Sequence, residues 1–215
     1  LFGIGGSSAI SRALGEHKPE KAKHISAFCC YGSLGVGIFM AVVSILGMEL
    51  ILKLIGASEN TIDYARDYLF FIALGAPFIM FGTAFGNILR GEGASRESMI
   101  GNLIGTIVNI VLDPIMILVL GWGVVGAAVA TVIGNMASLF YLGYFLRKRS
   151  SLSINIHDFK LGENIPFSVA SIGIPASLNN ILMSFANIIL NQALVGYGDT
   201  PVAAMGVALK SNMLV

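Results

Sequence analysis

The chain has 215 residues, of which 55% are hydrophobic and only 12% charged, against roughly a quarter charged in an ordinary soluble domain, and its mean hydropathy is +0.81. Thirteen Lys and Arg against twelve Asp and Glu give a net charge of +1, so there is no bulk electrostatic case for nucleic acid or for an acidic macromolecule as partner. Adjacent Cys29 and Cys30 suit neither a CxxC metal site nor a disulfide framework, and His17, His24 and His157 are too scattered for a ligand cluster, which leaves a composition that belongs in a bilayer.

In chain order, residues 1–14 read as the end of one helix and 202–215 as the start of another. Between them lie apolar runs at about 25–46, 68–89, 99–120, 124–146 and 167–195, each of 22 or more residues. That length gives about 33 Å of helix or more, enough to cross a hydrocarbon core of roughly 30 Å. Five complete spanning helices and two cut ones are expected. Beginning at Leu1 inside GIGGSSAI and stopping in an apolar run, the sequence reads as an internal fragment, and no cleavable leader can be read from such a start.

Lys and Arg accumulate in cytoplasmic loops and thereby set orientation. The basic segments here are 12–23 (Arg12, Lys18, Lys21, Lys23), 90–96 (Arg90, Arg96) and 147–160 (Arg147, Lys148, Arg149, Lys160). They alternate with 47–67, 121–123 and 196–201, which hold only Lys53 and Arg66. The first set is therefore assigned to the cytoplasm. The linker 147–166, RKRSSLSINIHDFKLGENIP, reads as a hinge between two helical bundles, with INIHDFKL able to rest on the membrane surface.

Small residues at helical spacing, Gly75, Gly82 and Gly86, then Gly101 and Gly105, mark faces where helix backbones approach closely. Pro77, Pro114 and Pro175 are expected to bend their helices. Polar residues fall in stripes. Asn102, Thr106, Asn109 and Asp113 lie within about 60° of one another on the third span, Thr131, Asn135 and Ser138 share a face of the fourth, and Ser177, Asn180, Ser184, Asn187 and Asn191 lie within about 80° on the fifth. Between Glu97 and Arg147 the only charge is Asp113. A carboxylate centred in a span costs roughly 2.5 to 3.5 kcal/mol on insertion scales, so it faces a bundle interior or a wet cavity and marks a functional site at which a proton and a cation can exchange. The uncharged stripe of the fifth span suits the wall of a passage for polar or amphipathic solutes.

Residues 90–117, RGEGASRESMIGNLIGTIVNIVLDPIMI, resemble the signature of the multidrug and toxic compound extrusion (MATE) family, in which an Arg-x-x-Gly turn leads into a helix ending Asn-x-x-x-Asp-Pro. GVVGAAVATVIGN at 123–135, SIGIPASL at 171–178 and GDTPVAAMGVALK at 198–210 are similar to that family's sixth helix, seventh helix and start of the eighth. The resemblance covers essentially the whole chain. It implies an all-α polytopic membrane protein of twelve helices in two lobes, of which this chain carries the end of helix 2, helices 3 to 7 and the start of helix 8. Residues 1–146 then belong to the N-lobe, 147–164 to a cytoplasmic interlobe linker and 165–215 to the C-lobe. It also implies a bacterial cytoplasmic membrane, small-molecule substrates, membrane lipid and the remaining helices of the same transporter as partners, and no cofactor beyond Na⁺ or H⁺ as coupling ion.

By the same resemblance, Asn109, Asp113 and Thr131 match three of the four residues of the family's N-lobe cation site, the fourth being a helix-one aspartate that would precede Leu1. Asn180, Ser184, Asn187 and Asn191 are the candidate substrate-cavity residues. The NorM-like branch carries a membrane-embedded glutamate where this chain has Met183, which favours a DinF-like arrangement with coupling at Asp113. The expected activity is cation-coupled export of organic cations and amphipathic compounds by alternating access. A lipid-linked saccharide flippase of the same superfamily would need cavity-facing Arg or Lys to hold pyrophosphate, and the spans hold none. An intramembrane enzyme needs a constellation that one Asp without a neighbouring His does not supply, and a lone carboxylate on an unrepeated segment builds no selectivity ring for an ion channel.

Overall fold

A computed structural model describes residues 1–55, 61–160, 162, 164–195 and 204–206. Helices α1 (Phe2–Gly15), α2 (Pro19–Leu46), α3 (Met48–Leu54), α4 (Ile62–Gly91), α5 (Ser95–Pro114), α6 (Gly123–Arg149) and α7 (Ile165–Val195) follow one another, with a π-helical turn at Ile115–Val119 and a 3₁₀ turn at Ile156–Asp158. Regular structure among the described residues is entirely helical. Five of the helices, Pro19–Leu46, Ile62–Gly91, Ser95–Val119, Gly123–Lys148 and Ile165–Leu194, are long and apolar enough to cross a membrane. They are the five expected spans, each somewhat longer than its apolar run. Helix propensity continues through polar ends such as Asp63, Arg66 and Asp67 of α4, so a hydropathy boundary stops short of the helical one. The connection at 196–201 and most of the later helix expected at 202–215 lie outside the described residues.

Two helix ends use the same backbone device. After α4, the amide of Gly93 donates to the Arg90 carbonyl (3.0 Å) and that of Ala94 to the Leu89 carbonyl (2.9 Å), with Gly93 at φ 99°; this is the Schellman stop, which needs a left-handed residue. After α1, His17 donates to Leu14 (3.0 Å) and Lys18 to Ala13 (2.9 Å), with His17 at φ 58°, so here a side chain is tolerated where glycine would be cheaper.

The buried core joins Ile10 and Ala13 of α1, Ile25 and Cys29 of α2, Phe85, Ile88 and Leu89 of α4, Leu142 and Leu146 of α6, Leu152 of the linker, and Ile165 and Val169 of α7. Most of these residues sit at the end of the bundle that carries the basic segments. Farther along α2 and beyond, apolar side chains such as Phe39, Val42, Leu46, Leu118 and Val119 face outward, as a lipid-facing surface should. Glycines set the close crossings: a Cβ on Gly37 would lie 2.7 Å from the Pro77 Cα, and one on Gly173 2.7 Å from the Leu1 carbonyl oxygen.

The linker, expected at 147–164, begins after α6 ends at Arg149, and its described stretch 150–160 is bound to the bundle at several points. The Glu92 carboxylate, in the α4–α5 turn, accepts from the Ser150 hydroxyl (2.6 Å), the Ser151 hydroxyl (2.8 Å) and the Ser151 amide. Tyr31 of α2 donates to the Ile154 carbonyl at 2.8 Å, and the Phe159 ring lies 6.0 Å from Phe28 and 6.1 Å from Tyr31. Leu152 is buried in the core. Phe159 therefore rests on aromatic side chains of α2.

Candidate functional site

The polar stripes of α5 and α6 face each other. A glycine on each helix makes this possible: a Cβ on Gly134 would lie 2.6 Å from the Gly105 carbonyl oxygen, and one on Gly105 2.9 Å from that of Gly134. Where the backbones come this close, the polar side chains around them line an open hollow of about 260 Å³, formed by Asn102, Gly105, Thr106, Asn109, Thr131, Asn135 and Ser138. Asn102 and Thr106 are exposed at its mouth and Asn109 is half-buried, so three of the four stripe residues of α5 border this recess.

Asp113 lies one turn beyond Asn109 and half-buried. The Asn109 Nδ2 group stands 3.4 Å from Asp113 Oδ1 and 3.4 Å from Thr131 Oγ1, so one amide bridges the carboxylate and the hydroxyl across the two helices. Both contacts are long for hydrogen bonds, leaving the three groups loosely drawn together. The Thr131 hydroxyl donates its proton to the Ala127 carbonyl at 2.9 Å, and Asn135 Nδ2 donates to the Thr131 carbonyl at 2.8 Å. With its proton used along the helix, Thr131 Oγ1 turns lone pairs toward Asn109. The cluster thus holds three side chains able to present oxygen: a carboxylate, a hydroxyl and an amide that can offer either its nitrogen or, after a half-turn, its oxygen.

Local chain chemistry aims Asp113. Pro114 has no amide hydrogen and breaks the α pattern at the next residue, and the chain passes into the π-helical turn Ile115–Val119, with Leu120 bonded back to Ile115 (2.9 Å) and Trp122 to Met116 (3.0 Å). Gly121 (φ 68°) and Gly123 (φ 52°) then reverse the chain into α6, which returns Thr131 to the level of Asn109.

Sequence reasoning identified Asn109, Asp113 and Thr131, and the structure brings them together. It missed the part played by Gly134, whose signal is the Gly-x-x-x-Ser spacing with Ser138. The candidate cavity residues of α7 stand elsewhere. That helix packs on α1 and α2, Asn180 and Ser184 are exposed, Asn187 and Asn191 are half-buried, and none lines the α5–α6 hollow. Asn180 Nδ2 contacts the Ala176 carbonyl at 3.4 Å, and Met183 is exposed.

The MatE family model matches residues 1–115, more than half of the chain. The chain belongs to the MATE family. It is 37% identical over 211 residues to the multidrug export protein MepA of Staphylococcus saprophyticus, an alignment covering 98% of this chain and 47% of that protein. It is 36% identical over the same length to MepA of Staphylococcus aureus, again with 98% and 47% covered. Among solved structures, it is similar to a multidrug resistance MATE family transporter of the MOP superfamily in its inward-facing conformation (TM-score 0.93, 32% identity, 99% of this chain and 49% of that one). Likeness to an outward-facing conformation is lower, with TM-score 0.86, 31% identity and 99% and 48% covered. The chain spans about half the length of the curated relatives it matches. These MATE likenesses and the five apolar helices make it a multi-pass membrane protein.

Proposed function

We propose that this chain forms most of the first lobe of a cation-coupled MATE exporter, with residues 147–164 as the interlobe linker and 165–215 opening the second lobe. In this reading, Na⁺ or H⁺ enters at Asp113, Asn109 and Thr131 and drives alternating access that expels organic cations or other amphipathic compounds. The observation that supports it most directly is the Asn109 amide poised between Asp113 and Thr131. With its nitrogen inward, the amide stands 3.4 Å from both oxygens and occupies the place a cation would take. After a half-turn its oxygen joins theirs, and the same three side chains can hold Na⁺. A proton on Asp113 cancels the same negative charge, so ion entry by either route removes an intramembrane charge whose cost is large.

The names of the relatives support the export reading, and Met183 supports a DinF-like arrangement with coupling at Asp113. Asn180, Ser184, Asn187 and Asn191 are proposed to line the substrate passage, because an uncharged polar wall can solvate varied solutes without holding one tightly. The test is export by the full-length protein in proteoliposomes, with Na⁺ and pH gradients imposed separately. Asp113→Asn keeps the side-chain volume but can neither release a proton nor neutralise a cation, so export should collapse with expression retained. Full gradient-driven export by a well-folded Asp113→Asn protein would remove Asp113 from the mechanism.

A further inference from the structure

A separate pocket of about 240 Å³, sharing no lining residue with the polar hollow, lies between the first turn of α5 and the last turns of α6. Glu97 forms one side, and Tyr141, Tyr144, Phe145 and Lys148 form the other. The α6 residues follow steps of three, one and three, which place them on a single helix face. The pocket sits where the apolar spans give way to the basic segments at Arg96 and Arg147, the level of the membrane–water boundary, where aromatic side chains are favoured.

Its charges are opposite and kept apart. Among the described residues, Glu97 has no ion-pair or hydrogen-bond partner, although a lysine lines the same pocket. The Lys148 ammonium instead donates to the Tyr144 hydroxyl at 2.7 Å and lies 4.6 Å from the centre of that ring. A cation-binding carboxylate, an anion-binding ammonium and three aromatic rings in one recess match a zwitterion that carries both charges on a short stem. A single-charge ligand would satisfy one group and be repelled by the other.

We propose that this pocket binds the headgroup of a zwitterionic phospholipid with a primary amine, such as phosphatidylethanolamine. Its phosphate meets Lys148 and its ammonium donates to Glu97, with Tyr141 and Phe145 walling the ammonium end. The acyl chains follow α6 into the bilayer past Phe140, which is 74% exposed on the neighbouring face of the helix. This assignment does not depend on the transport reading.

Native mass spectrometry of the full chain, given equal amounts of phosphatidylethanolamine and phosphatidylglycerol, tests it. The wild type should retain the ethanolamine lipid in preference, although Arg96 and Arg147 nearby favour an anionic one. Glu97→Gln should lower the ethanolamine-to-glycerol ratio about tenfold, the worth of one charge-assisted hydrogen bond. Lys148→Met, which changes an exposed side chain and leaves the fold intact, should reduce retention of both lipids. Phosphatidylcholine should be held less well than the ethanolamine lipid, because its ammonium has no hydrogen to donate to Glu97. Equal or better retention of phosphatidylglycerol by the wild type would overturn the proposal, as would unchanged retention in Lys148→Met.

Discussion

Gly134→Ala tests whether the close crossing of α5 and α6 is what assembles the candidate ion site. The added Cβ would lie 2.6 Å from the Gly105 carbonyl oxygen and 3.2 Å from the Asn109 Cβ, and the first of these is backbone that cannot swing aside. An ordinary contact starts near 3.4 Å, so the helices must part by about 0.8 Å at this level. Carried to the neighbouring turn, that movement takes the 3.4 Å separation of Asn109 Nδ2 and Thr131 Oγ1 to beyond about 4 Å, outside hydrogen-bond range. Overpacking of this kind costs about 1 to 3 kcal/mol, offset by up to about 1 kcal/mol of better helix propensity. The same helix supplies its own control: a Cβ on Gly143 meets nothing within 4 Å, so Gly143→Ala should receive the propensity gain alone. The assay is thermal unfolding in detergent, followed by emission of Trp122, the single tryptophan in the chain, with and without Na⁺. Gly134→Ala should unfold at a lower temperature than Gly143→Ala. Where Na⁺ stabilises the wild type, Gly134→Ala should lose most of that stabilisation, because an ion that binds the folded state raises its stability through its affinity. A Gly134→Ala protein with the unfolding midpoint and sodium response of wild type would refute the argument that this crossing builds the site.

Ser98→Ala should destabilise by about 1 to 3 kcal/mol, since the fully buried Ser98 hydroxyl accepts from Arg90 Nε (3.0 Å) and donates to the Gly86 carbonyl (2.8 Å); denaturant unfolding reads the loss. Gly93→Ala should cost about 1 kcal/mol for its backbone conformation alone, because nothing lies within 4 Å of the added carbon, and Gly93→Asn should cost less. Glu92→Ala removes the acceptor shared by Ser150 and Ser151, so amide hydrogen exchange should rise at Ser151 with α6 unaffected. Equal exchange in both proteins would mean that the linker is held by Leu152 and Tyr31 without help from Glu92.

The spans were legible because twenty-odd apolar residues leave the chain few choices, and the α5 and α6 stripes because a 3.6-residue period makes Asn109, Asp113 and Thr131 face inward if anything does. Their meeting was not legible from period alone; it depends on Gly105 opposing Gly134, a pairing between residues on different helices. Short α3 escaped notice, since seven residues with Glu49 and Lys53 carry no span signal. The π-helical turn after Pro114 was foreshadowed only as a bend. The binding of the linker to Glu92 and Tyr31 could not be anticipated, because single hydrogen bonds between segments 58 and 123 residues apart leave no periodic trace.

Helix α7 is fastened unevenly. Ile165 and Val169 are sunk in the core, and Gly173 presses on Leu1, yet Pro175 follows two residues later and most of the chain beyond it is exposed or half-buried. Pro175 removes a backbone hydrogen bond just beyond the packed section, so α7 bends most cheaply there. The stretch from Pro175 to Val195 is about 30 Å long, so a kink of about 20° at Pro175 displaces its tip by roughly 10 Å. At the tip, Gln192 Nε2 donates to the Leu54 carbonyl at 2.6 Å, at the end of α3. A latch of that kind is worth about 1 kcal/mol, small enough for thermal energy to open and large enough to set a resting position.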